Sequence, residues 1–161
     1  MASHFATIEW SRNGASFTDN KYSRGHTWSF DGGARVPASS SPHVVPAPYS
    51  VAAAVDPEEA LVASLSSCHM LTFLYLAQKR GFVVDSYRDE ALGTMGKNAA
   101  GKAWVATVTL HPDIAFGGER RPTAAELDAL HHAAHEECFI ANSVKTDVRV
   151  EPAGAATAHG S

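Results

Sequence analysis

From Pro57 to Arg80, apolar residues fall on nearly every side of the helix that the local signals predict. Ala60, Leu61, Val62, Ala63, Leu65, Met70, Leu71, Phe73, Leu74, Leu76 and Ala77 leave no wholly polar face. Asp56-Pro57-Glu58-Glu59 opens this helix: Asp56 suits the N-cap, Pro57 the first helical position, and Glu59 a capping box. Gly81 is the natural stop, with Lys79 and Arg80 at the negative end of the dipole. A helix this apolar must be covered on most sides, by a sheet of its own chain or by a partner chain.

Elsewhere the period is two. Ala6, Ile8 and Trp10 share one side of a strand over Phe5 to Trp10, and Tyr22, Arg24, His26, Trp28 and Phe30 share one side of the next. After the turn signal Asp31-Gly32-Gly33, a short third strand is expected around Ala34 to Pro37, then a long irregular connection over residues 38–55. Val83 to Leu92 and Ala103 to Leu110 read as a long hairpin joined by the glycine-containing loop Gly93 to Gly101. Thr123 and Glu126 form a second capping box, which predicts a helix from Ala124 to about Glu137. Alternation of Val144, Thr146, Val148 and Val150 predicts a last strand, followed by a small-residue tail from Pro152 to Ser161. The order β-β-β-α-β-β-α-β is that of an α+β fold rather than a parallel α/β winding.

The 161 residues, 45% apolar and 19% charged, suit one domain spanning 1–161, with flexible tails at about 1–3 and 152–161. A formal charge of -4 with scattered Lys and Arg supplies no basic stripe, so nucleic acid is not an expected partner. No basic segment followed by an apolar run opens the chain, and the most apolar stretch is interrupted by Ser, Cys, His and Thr. The reading is therefore cytoplasmic, with no membrane span.

In a reducing compartment, Cys68 and Cys138 are either small buried hydrophobes or parts of a redox site. Cys68 sits mid-helix in Leu65-Ser66-Ser67-Cys68-His69-Met70, more than two turns from the N-terminus, so the helix dipole cannot activate it. Composition alone favours a buried structural thiol.

The interval from Pro57-Glu58 to Cys68, with Cys138-Phe139-Ile140-Ala141-Asn142-Ser143 much later, resembles the OsmC/Ohr family over about Arg24 to Val150. The resemblance implies antiparallel sheets wrapped around long central helices in an intertwined homodimer. It also implies a thiol-dependent peroxidase that reduces organic hydroperoxides, and hydrogen peroxide as a further substrate, in oxidative-stress defence. In that scheme Cys68 attacks the peroxide and becomes a sulfenic acid, Cys138 resolves it as a disulfide, and a dithiol of lipoyl type reopens the bond, with no cofactor. An Arg from the early strands would favour the thiolate and pair with the Glu after Pro; these map to Arg24 and Glu58, with Arg12 and Arg35 in the same region. Phe73, Phe139 and Ile140 are candidates to receive an apolar substrate.

Helix geometry adds a constraint. Ten residues at 1.5 Å rise separate Glu58 from Cys68 by about 15 Å. Either the helix kinks, or Glu58 and Arg24 serve the Cys68 of a second chain across a two-fold axis.

Nine histidines raise a competing class, a non-enzymatic metal-binding or redox-sensing protein. His131 and His135 lie one turn apart beside His132, and Cys68, His69, Cys138 and His135 are a conceivable zinc set. The favoured reading puts His131, His132 and His135 on the polar side of their helix. His69 stands where the family usually has a bulky apolar residue, which leaves room for a different pocket or for a His that tunes Cys68.

Overall fold

A computed structural model describes residues 1–153 and divides the chain into two compact units, residues 1–60 and the residues from Leu61 onward. The part of the expected tail beyond residue 153 lies outside the described residues.

The first unit holds three antiparallel strands in the order β1 (Ala6–Glu9), β2 (His26–Phe30), β3 (Arg35–Ala38). Ile8 pairs with Trp28, and Trp28 with Val36, so the expected apolar positions are in register on one face. Gly33, at φ 94, makes the tight turn between β2 and β3 that a side chain would strain. Arg24 falls before β2, a correction to the period-two reading that placed it in the strand. Its N–H instead donates to the Tyr49 carbonyl at 2.8 Å. The long connection is tied down where Ser39 N–H donates to Val55 O at 3.0 Å and Ser39 Oγ accepts from Val51 N–H at 2.9 Å.

The helix α1 runs over Pro57–Lys79. Its capping box is formed: Glu59 N–H donates to Asp56 Oδ1 at 2.8 Å, and Asp56 N–H to Glu59 Oε2 at 3.2 Å. Gly81 takes φ 80 just past its end, as the left-handed stop requires. By length and composition α1 could cross a membrane. Its buried stripe Leu65, His69, Phe73 and Ala77 packs instead into the second unit.

That unit contains β4 (Val83–Asp89), β5 (Leu92–Lys97), β6 (Ala103–Leu110), β7 (Pro112–Gly117), α2 (Ala124–Glu137) and β8 (Asp147–Val150). The single long hairpin over 83–110 is corrected to two pairings: β4 with β7, and β5 with β6 across a tighter turn. β8 joins β6 in parallel, so the sheets are not all antiparallel. One core gathers Phe73, Ala77, Phe82, Leu130 and Ala134; a second gathers Leu65, Val108 and Leu110.

Candidate active site: a thiol pair and an arginine cavity

α1 presents three stripes at four-residue spacing. Leu65, His69, Phe73 and Ala77 are buried; Cys68, Thr72 and Leu76 are half-buried; Ala63, Ser67, Leu71 and Tyr75 are exposed. The middle stripe meets the end of α2. There Cys138, 1% exposed, is the C-cap, and the chain turns through Phe139 and Ile140 into a single 3-10 turn, Ala141–Ser143.

Cys68 and Cys138 are both free thiols, and each shifts the acidity of the other. Burial by itself would raise the pKa of both. For Cys68 it is outweighed by potential donors around the sulfur, the Cys138 thiol first, then the backbone N–H groups of Ile140 and Phe139 and the Thr72 hydroxyl, which leave the thiol below its ordinary pKa. For Cys138, burial and then its bond to Cys68 push the thiol up, although Ala141 N–H donates to its sulfur at 3.4 Å. One thiol is therefore favoured as the anion and its neighbour as the proton donor.

A groove of about 450 Å³ adjoins this pair, lined by Leu71, Thr72, Tyr75, Leu76, Lys79, Glu137 and Phe139. Phe139 is 80% exposed on this groove. Phe73, expected to receive substrate, is instead fully buried in the core and does not line the groove. Ile140 packs against the Leu65, Val108 and Leu110 cluster.

His69 turns away from the thiols. It is 1% exposed, stacks on His131 at 5.4 Å and 7°, and shares one proton with it, Nε2 to Nδ1 at 3.1 Å. Burial, reinforced for His69 by its histidine neighbours, lowers both imidazoles to about 4. His69 does not figure among the groups acting on Cys68. His131 leaves the predicted polar side and faces the core, whereas His132 stays exposed, 3.9 Å from Glu136. Among the described residues, no three His, Cys, Asp or Glu side chains converge as metal ligands.

In the first unit, Arg24 and Glu58 line a cavity of about 500 Å³ with Trp10, Phe17 and Tyr22. The Arg24 guanidinium stacks 3.7 Å over Tyr22 and donates to Asn20 and to the Tyr22 carbonyl rather than to Glu58. Glu58 Oε2 is buried with no partner among the described residues. His26 fixes the main chain here: Trp28 Nε1–H donates to its Nε2 at 3.0 Å, which places the ring proton on Nδ1, bonded to Arg24 O at 2.7 Å.

Thr72 had a signal in the sequence, since it lies four residues after Cys68 on one helix. The Phe139 and Ile140 amides had none, because a peptide group's direction is set by the fold.

The model of the OsmC-like protein family matches residues 50–153. No curated protein matches the chain. Among solved structures, an OsmC-like protein of unknown function from Vibrio cholerae is 56% identical, with TM-score 0.92 over 94% of this chain and 99% of its own. An organic hydroperoxide resistance protein from Elizabethkingia anophelis shares 17% identity at TM-score 0.69, covering 94% of each chain. Another from Bacillus subtilis shares 18% at TM-score 0.64, over 94% and 98%. The chain, from the long connection through both helices to its last strand, belongs to the OsmC-like protein family.

Proposed function

We propose that the protein is a cytoplasmic thiol peroxidase that reduces organic hydroperoxides. The observation that carries this reading is the contact between a thiol favoured as the anion and a second thiol favoured as protonated. The Cys68 thiolate attacks the terminal oxygen of R–O–O–H; the O–O bond breaks, and the alkoxide leaves with a proton as R–OH. Cys68 is then a sulfenic acid. Cys138 attacks its sulfur, water departs, and a Cys68–Cys138 disulfide forms. Exchange with a dithiol, in which the dithiol is oxidised to its own disulfide, returns two thiols.

A two-fold homodimer is part of the proposal. The exposed stripe of α1, with Leu71 and Tyr75 each more than half exposed, is a surface for a second copy. Arg24 and Glu58 are assigned to the thiol of that second copy. The unpartnered Glu58 oxygen supports this, because a buried carboxylate oxygen with no donor is costly unless one arrives.

The test is consumption of cumene hydroperoxide with dithiothreitol. Wild type should turn over, Cys68→Ser should be inert, and Cys138→Ser, given the hydroperoxide before any dithiol is added, should consume about one equivalent and stop at the sulfenic acid. Wild type no faster than Cys68→Ser ends the enzyme reading, and a monomer of full activity ends the dimer.

A further inference from the structure

Two side chains beyond Cys138 hold the carbonyls of the two peptide groups whose amides act on Cys68. In a planar trans peptide, the C=O of one residue and the N–H of the next point in opposite directions. The Phe139 N–H therefore points away from Cys138 O, and the Ile140 N–H away from Phe139 O. Both carbonyls are anchored four residues ahead. Asn142 Nδ2 donates to Cys138 O at 3.1 Å and to Glu136 O at 2.9 Å, and Asn142 N–H adds a bond to Cys138 O at 3.0 Å. Ser143 Oγ–H donates to Phe139 O at 2.7 Å. The opposite ends of these peptide groups are the N–H groups of Phe139 and Ile140, the two backbone groups that lower the Cys68 thiol.

We propose that Asn142 and Ser143 are positioning residues for the thiol site: by holding the carbonyls of Cys138 and Phe139 they aim two backbone amides at Cys68, where a thiolate accepts from both. The proposal rests on the reading of Cys68 as the attacking thiol. Neither side chain touches Cys68 or the groove, and both residues are exposed, so neither is needed to fill a core. Released from their anchors, the two peptide groups can rotate and give their N–H groups to water. Cys68 would then keep its burial and lose part of what opposes it.

The experiment reads acidity without reading catalysis. Reduced wild type, Asn142→Ala, Ser143→Ala and Ser143→Thr are alkylated with iodoacetamide from pH 5 to 10, and the rate at Cys68 is followed by peptide mass spectrometry. Below the thiol's ionisation, Asn142→Ala and Ser143→Ala should each slow alkylation by about tenfold, the worth of one hydrogen bond to a charged acceptor. The rates should converge at high pH, where every thiol is ionised. Ser143→Thr keeps the hydroxyl and should follow wild type. An equal slowing at all pH values would mean lost access rather than lost acidity and would overturn the proposal, as would Ser143→Thr behaving like Ser143→Ala, or unchanged profiles in both alanine variants. The peroxidase reading fails separately, if wild type consumes no hydroperoxide while these pH profiles differ.

Discussion

Cys68 and His69 are successive residues of α1, about 100° apart around its axis, and they meet opposite environments. Both lie far from the helix ends, so the dipole treats them alike. Around Cys68, burial is overcome by a thiol, two amides and a hydroxyl that can all donate to sulfur. Around His69, burial prevails, reinforced by His131 and His135 and only weakly opposed by Asp89. A shift in the same direction then has opposite meaning: a lowered thiol is readied as an anion, and a lowered imidazole is kept neutral. Donors at the sulfur together with its shallower burial separate the candidate chemistry from the core.

The harshest way to break this comparison is to remove the core member. In His69→Ala, a fully buried ring is lost from the stripe that packs against α2, and His131 Nδ1 is left without its partner. Cavity and orphaned polar atom together should destabilise the protein by about 3 kcal/mol in urea titration. Alkylation of Cys68 in the folded variant should keep its wild-type pH dependence. A displaced profile would mean that the imidazole and the thiol are coupled after all.

Acid should expose the same asymmetry with no mutation. His69 and His131 titrate near 4 when folded and near 6.5 when unfolded, so the unfolded chain binds more protons throughout that window. Stability from this pair is complete above about pH 6.5 and is lost as pH falls towards 4. With allowance for solvent relaxation near the surface, the loss is on the order of 2 kcal/mol per imidazole. The urea midpoint should fall over this range in wild type and fall less steeply in His131→Leu. Equal slopes in the two would assign the acid sensitivity to other groups.

These contrasts also mark where sequence reading stops. The helices were legible because their signals are local: Asp56 with Glu59 and Thr123 with Glu126 form reciprocal caps within four residues, and Gly81 supplies the stop. β5 was not, because Gly93 and Gly96 make Leu92–Lys97 look like a loop. Gly93 is there for packing: a Cβ on it would come within 2.5 Å of Val62 Cγ2 on α1. β7 opens on Pro112, which a strand accepts as its first residue but which gives no signal for one. At the site, Cys68 and Cys138 are separated by most of the second unit, and only resemblance linked them. The His69–His131 contact bridges 62 positions of chain, and no periodicity announces it.

The finest test concerns Thr72, the smallest of the influences that lower Cys68. Its hydroxyl has one proton, which goes at 2.8 Å to the Cys68 carbonyl one turn back. To serve the sulfur it must leave that carbonyl, so its help is partial where that of an amide fixed in its peptide plane is not. Thr72→Val keeps the shape and removes the proton. Alkylation of Cys68 near neutral pH should slow only about two- to threefold, in keeping with ~0.5 kcal/mol for a shared bond. That is well short of the effect expected when an amide is turned away, and thermal stability should barely change. A slowing as large as that of Asn142→Ala would move the control of the thiol from the Cys138 turn to α1 itself.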